Sequence, residues 1–441
     1  MNNADIENPS PEWLKADFRI FIDQAGYLPE DEKRAVFTFP ASFFSVVDER
    51  GNICLSGVPR PAGFDKDSGE TLCTADLSQL KTPGKYRVVS GKDISLPFRV
   101  GKDVYNKCFD DCMKAFYFQR CGCALDKKYA GMWAHEKCHC APSVLWENRD
   151  IKLDVTGGWH DAGDYGKYVT AAATALAHLL YAWKMFPEAF RRQSLDIPGK
   201  PSALPDVLVE CRYELDWLLK MQRYDGAVWH KVTTKTHAGF VMPEDDHGQM
   251  YVFPVSTSAT ADFAAVTALA AGIYREFDQQ FSGRLMKSAC AAYDWLQRNP
   301  DFIGFSNPEG CDTGVYGERG DRDNRFWAAA ELFAAFDNEM YYTKILSLLN
   351  EQFSLTSFGF ASVGGFGSLA LLLHDRGNAA VLSKLRNAFM AKAEELAAIC
   401  DSNGWGVSLT TNQYNWGSNM TVLTNGMTFL IADYLESRSI T

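Results

Sequence analysis

A chain of 441 residues with 46% apolar content has material for a large core, and its length suggests two or three domains. A net charge of -11 excludes the positive surface that nucleic acid or an anionic membrane requires of a partner, and no apolar run reaches the roughly 18 residues needed to span a bilayer. A neutral glycan is compatible with this balance, and 13% aromatic residues suit sugar stacking, although most belong in the core.

From Met1 to Pro11 there is no basic start leading into an apolar run, so the chain as given is expected to be cytoplasmic, and extracellular only if a signal peptide has been removed. Residues 1–17 are set aside as an N-terminal extension. Twelve cysteines without an export signal favour thiols and metal ligation over disulfides. Between Phe18 and about Val100 the pattern is short and β-rich: Phe18–Ile22, Ala35–Phe39, Phe43–Val47, Tyr86–Val89 and Phe98–Val100 are divided by turns such as Glu49-Arg50-Gly51-Asn52 and Thr82-Pro83-Gly84-Lys85. That spacing predicts a small β-sandwich over 18–101.

After Gly101 the apolar period becomes helical. Helices are predicted near 103–119, 168–186, 205–222, 258–278, 283–298, 324–336, 339–353, 363–374, 378–399 and 419–436, giving a second domain over 102–441. Ten helices without intervening strands indicate an all-α toroid or solenoid, and the periodicity does not choose between them. The loops between them hold most of the tryptophan, histidine and paired acids, and long loops carrying such residues read as functional.

The densest chemistry lies in Gly157-Gly158-Trp159-His160-Asp161-Ala162-Gly163-Asp164-Tyr165-Gly166-Lys167-Tyr168. Two carboxylates stand three residues apart on a segment too glycine-rich for a settled helix, with Trp159, Tyr165 and Tyr168 offering flat faces to a ligand. A turn that aims two acids into a cavity and an Asp-rich turn that caps the next helix are both consistent with this spacing. Upstream, Cys121-Gly122-Cys123 and Cys138-His139-Cys140, with His160, gather thiols and imidazoles suited to tetrahedral zinc. Buried thiols beside an unrelated histidine are the alternative.

The twelve residues from Gly157 to Tyr168 resemble the signature of glycoside hydrolase family 9, the inverting cellulases. Leu204-Pro205-Asp206, Trp217-Leu218-Leu219-Lys220-Met221-Gln222, Ser256–Phe263, Phe326–Leu332 and Tyr414-Asn415-Trp416-Gly417-Ser418-Asn419 agree in order. The resemblance implies an (α/α)6 barrel, mainly α, preceded by an immunoglobulin-like module whose recurring opening matches Asp23–Pro29. It implies that Asp164 is the general base and that Asp161 helps hold the attacking water. It also implies a structural zinc on Cys121, Cys138, His139 and His160, and a β-glucan or oligosaccharide substrate lying against Trp229, His230, Trp327, Tyr414 and Trp416. A calcium site would fall on Glu318, Asp321, Asp323 and Asn324, where Asn324 replaces a glutamate of the family pattern.

Inversion requires an acid on the opposite face of the sugar from the base. The family's acid is a Glu near the carboxyl end, after a His-His-Arg segment, and neither occurs before Thr441. Glu331 and Glu339 lie on helical patterns and read as solvated or structural. The expectation is a barrel lacking about two C-terminal helices together with its acid. Three functions remain open: a cellulase-type endoglucanase, an intracellular exo-acting enzyme trimming short cello- or glucosamine-containing oligosaccharides, and a glycan binder that no longer cleaves.

Overall fold

The structure, a computed structural model, describes residues 18–199, 203–375 and 377–438. The N-terminal extension lies outside them. The chain divides into two compact units, the first comprising residues up to Phe109 with Glu394–Val422, the second Asp110–Ala393 with the residues from Leu423 onward.

The first unit is built on a β-sandwich. One sheet has the order β1 (Ile20–Phe21), β2 (Arg34–Phe37), β6 (Glu70–Asp76), β5 (Arg60–Asp65). The other runs β4 (Ile53–Gly57), β3 (Phe44–Asp48), β7 (Gly84–Ser90), β8 (Asp93–Ile94), with β9 (Phe98–Val100) also on β7. Inward residues of both sheets, among them Ala35, Phe37, Phe44, Val46, Ala75, Tyr86, Val88 and Phe98, form one apolar cluster. All five predicted strands are present. Strands β4, β5, β6 and β8 carry no prediction, and β5 shows why: Arg60-Pro61-Ala62-Gly63-Phe64-Asp65 is a largely exposed edge strand with Pro and Gly and no apolar alternation.

All ten predicted helices exist, as α1 (Asn106–Phe118), α3 (Val169–Met185), α5 (Asp206–Lys220), α6 (Thr257–Tyr274), α7 (Gln279–Arg298), α8 (Arg322–Phe336), α9 (Glu339–Leu348), α10 (Gly364–His374), α11 (Ala379–Asp401) and α12 (Ser418–Ser437). Two short ones, α2 (Lys127–Ala130) and α4 (Pro187–Arg191), were beyond the reach of periodicity. Helix α6 is buried on nearly every side, as its all-round Ala/Thr/Val composition requires, and packs on α3, α7 and α8. Helix α7 buries only one face (Phe281, Leu285, Ala289, Ala292, Leu296), which places it outside α6. This inner and outer pairing is the pattern of an (α/α)6 barrel.

The expectation of no intervening strands is corrected. Five short strands form a sheet ordered β11 (Lys152–Leu153), β10 (Ser143–Leu145), β14 (Tyr251–Val252), β13 (Lys231–Thr233), β12 (Lys167–Tyr168). At two or three residues each they are too short to show a period of two. They position the site, because β12 leads out of the aspartate turn and pairs with β13 at Lys167↔Val232.

Candidate active site

The turn from Gly157 to Gly166 is non-helical and is closed by Asp161 N–H donating to Gly166 O at 2.9 Å. Its glycines have specific jobs. Gly158 sits at φ +79, and a β-carbon there would come within 2.7 Å of Trp217 Cγ, so the chain can lie flat on α5 only without a side chain. A β-carbon on Gly166 would fall 2.8 Å from Asp164 Oδ2, in the space that carboxylate needs.

Each aspartate is held by a tyrosine. Asp161 Oδ2 accepts from the Tyr316 hydroxyl at 2.6 Å. Asp164 Oδ2 accepts from Gly166 N–H at 3.1 Å and from the Tyr168 hydroxyl at 3.2 Å, with His237 Nδ1 3.6 Å away. The Tyr168 hydroxyl in turn accepts from Gly314 N–H at 3.1 Å, and the two tyrosine rings lie 4.5 Å apart, centroid to centroid. Burial pushes the Asp161 carboxyl up to about 6; the Tyr316 hydrogen bond opposes the rise, and Asp164 adds to it. Both phenols are held well above their usual range, chiefly by burial, which keeps them protonated and able to donate.

Behind the turn stands a buried polar frame. Arg120 makes a two-pronged pair with Glu210 (Nε to Oε1 3.0 Å, Nη2 to Oε2 2.8 Å), and Glu210 also accepts from Trp159 Nε1 at 2.9 Å. Glu214 accepts from Trp159 N–H, while Lys167 Nζ donates to the carbonyls of Val155 and Gly157 at 2.8 and 2.7 Å. Removing one partner of such a buried pair costs about 3–5 kcal/mol, so the turn is anchored to α5 firmly. Trp159 and Tyr168 are thereby buried, and the sequence-based idea that they present free faces to a ligand is corrected.

The ligand atoms of Cys121, Cys138, His139 and His160 all lie within 4.8 Å of one another. Their chemistry fits a tetrahedral metal, and one atom marks the need for an occupant: His139 Nδ1 is buried with no hydrogen-bond partner, while its Nε2 faces Asp246 at 3.1 Å. His160 N–H donates to Gln119 O at 2.7 Å, and Cys121 N–H to Gly158 O at 2.7 Å, so the cluster is stitched to the chain just before Asp161.

The four residues of the calcium expectation take part in hydrogen bonds within the protein. Asp321 Oδ2 binds Arg325 Nε at 2.9 Å and Asp323 Oδ2 accepts from Val363 N–H at 2.9 Å, while Glu318 Oε2 and Asn324 Oδ1 are buried without a hydrogen-bond partner. The Asn324 amide donates to Asp262 at 2.9 Å and to Glu318 at 3.3 Å, which replaces charge attraction with hydrogen bonds.

Three of the five sugar contacts are also corrected. Trp327 is fully buried in α8, its indole N–H on Glu331 at 3.0 Å. His230 is fully buried, stacked on Phe305 at 4.2 Å, with Nδ1 at Ser256 and Nε2 at Val315 O, both 2.8 Å. Trp229 is buried too. Loop placement in the sequence does not reveal which way a side chain turns. Tyr414 and Trp416 belong to the first unit, half and fully exposed respectively. Trp183, Trp217 and Trp295 are core. Glu331 is structural and buried against Tyr181 and Trp327, and Glu339 is exposed.

Tyr316 and His237 were missed. Tyr316 sits in Thr313-Gly314-Val315-Tyr316-Gly317, whose glycines signal a bent loop without saying that it returns to the aspartates.

A model for glycosyl hydrolase family 9 matches residues 105–439, and one for the cellulase N-terminal ig-like domain matches residues 15–95. A cellodextrinase of Butyrivibrio fibrisolvens is 42% identical over 437 residues, covering 95% of this chain and 80% of the relative. Endoglucanase D of Acetivibrio thermocellus is 35% identical over 431 residues, covering 95% and 68%. Among solved structures, a thermostable endoglucanase mutant from Alicyclobacillus acidocaldarius superposes with a TM-score of 0.88 at 32% identity, over 95% of this chain and 78% of that one. A zinc-binding triple mutant of a family 9 endoglucanase gives 0.87 at 36% identity, over 92% and 78%. The chain therefore belongs to glycosyl hydrolase family 9, with an immunoglobulin-like module ahead of its helical barrel.

Proposed function

We propose that this chain hydrolyses β-1,4-glucosidic bonds with inversion, acting on cello-oligosaccharides and related β-glucan. The observation that carries this reading is the aspartate turn, with Asp161 on Tyr316 and Asp164 on Tyr168. Asp164 Oδ removes a proton from water as the water oxygen bonds to the anomeric carbon; the bond from that carbon to the leaving oxygen breaks, and an acid protonates the leaving oxygen. Asp161, fixed by Tyr316, holds the water on the same face.

Both aspartates serve the water side, so the acid is a third carboxyl. Glu331 is excluded by its burial against Tyr181 and Trp327, and Glu339 is an exposed residue at the start of α9. The 42% identity to a cellodextrinase favours short soluble chains as substrate.

Zinc is the metal we assign to Cys121, Cys138, His139 and His160. When bound it supplies structural closure, since four protein ligands leave no position for substrate.

Product analysis on β-cellobiosyl fluoride, whose leaving group needs little protonation, tests the reading. The expected result is release of cellobiose and fluoride, abolished in Asp164→Ala. Binding without any cleavage would favour the glycan-binder reading.

A further inference from the structure

The loop Lys235–Gly248 has no part in the chemistry above, yet it touches the metal cluster at one end and the base at the other. At the first end Asp246 Oδ2 accepts from His139 Nε2 at 3.1 Å, with side chains only 8% and 3% exposed, and Asp246 Oδ1 accepts from Gly248 N–H at 3.0 Å. A second tie lies beside it. The Tyr165 hydroxyl donates to Val241 O, and the Tyr165 ring packs on the rings of His139 and His160 at 5.4 and 5.0 Å. At the other end His237 Nδ1 stands 3.6 Å from Asp164 Oδ2.

The His139–Asp246 geometry has a chemical consequence. With Nε2–H committed to the carboxylate, the free lone pair belongs to Nδ1, the buried atom that lacks any partner. A carboxylate behind a ligating imidazole fixes its tautomer and ring plane and strengthens it as a donor. Tyr165 is on the same turn as Asp161 and Asp164, so the metal ligands, the catalytic turn and the loop meet at one residue.

We propose that Asp246 is a positioning residue for the metal ligand His139, and that through Asp246 and Tyr165 the occupied cluster holds the loop Lys235–Gly248 so that His237 stands against Asp164. The inference rests on the reading of the four ligands as a metal site. It makes metal occupancy a determinant of the geometry around the base, with loop residues as the link.

The test uses Asp246→Asn, Asp246→Ala and His237→Gln in the full chain, with zinc release to a colorimetric chelator and amide hydrogen exchange over 235–248 as readouts. Asp246→Ala is expected to release zinc roughly 10–100-fold faster than the parent, Asp246→Asn to fall between them, and both to exchange faster in the loop. His237→Gln is expected to release zinc at the parent rate and to lose kcat on β-cellobiosyl fluoride while KM holds. Parent-like zinc release and loop exchange in both Asp246 variants would overturn the proposal. If the parent itself holds no zinc, the metal reading fails and this inference with it, an outcome separable from the first because it needs no variant.

Discussion

The Tyr316 hydroxyl reaches back across 155 residues to donate to Asp161 Oδ2 at 2.6 Å. On the proposed mechanism it fixes the carboxylate that positions water beside the base. A hydrogen bond to a charged group is worth about 1.5–3 kcal/mol, so Tyr316→Phe is expected to lower kcat roughly ten- to hundredfold, with KM little changed. Steady-state kinetics on a soluble cello-oligosaccharide check this. A variant with parent kcat would remove Tyr316 from the account.

The metal cluster should behave as part of the folded structure. Protein purified without chelator is expected to contain about one equivalent of zinc. Stripping the zinc should lower Tm and inactivate the protein, because the backbone bonds of His160 and Cys121 tie the cluster to the chain just before Asp161. Metal analysis giving less than about half an equivalent counts against the site.

A pH dependence follows from the buried carboxyls joined by Asn324. Burial raises Glu318 from 4.5 to about 8, and Asp262 also lies well above its usual range for the same reason. For a raised acid, the folded state keeps a proton that the unfolded chain has lost. Its contribution is full below about pH 4.5, and stability falls as pH rises toward and through about 8. Thermal unfolding from pH 5 to 9 should show this decline, and Glu318→Gln should flatten it. An unchanged slope in the variant contradicts the assignment.

Trp327 and His230 are packing residues, and substitution should separate stability from substrate binding. Trp327→Phe removes buried volume and the indole donor to Glu331. A loss of about 2 kcal/mol in stability with KM unchanged is expected from denaturant melts and kinetics. A raised KM with parent stability would restore Trp327 to the cleft.

What could be read from the chain and what could not divide along physical lines. Helices α3 and α6 announced themselves through long apolar recurrence, and the sandwich core through Ala35–Phe37 and Tyr86–Val88, because burial of a repeating face is a local pattern. The turn was legible because glycine, aspartate and aromatic residues are dense there. Tyr316 and His237 were not, since they come from loops that return to the turn after dozens of residues. The orientation of His230 was equally hidden: whether an imidazole meets sugar or stacks on Phe305 is decided by tertiary packing, which no local spacing encodes. The small sheet from β10 to β14 escaped because strands of two or three residues carry no period.

On the proposed mechanism Asp164 activates water for attack with inversion. β-Cellobiosyl fluoride tests it most directly, since fluoride leaves with little need of an acid, and proton NMR during turnover identifies the first anomer formed. Attack by water from the face opposite fluoride gives α-cellobiose with the parent, and Asp164→Ala is expected to lose roughly 10²–10⁴ in rate. First-formed β-cellobiose, or parent-like turnover in Asp164→Ala, would contradict it.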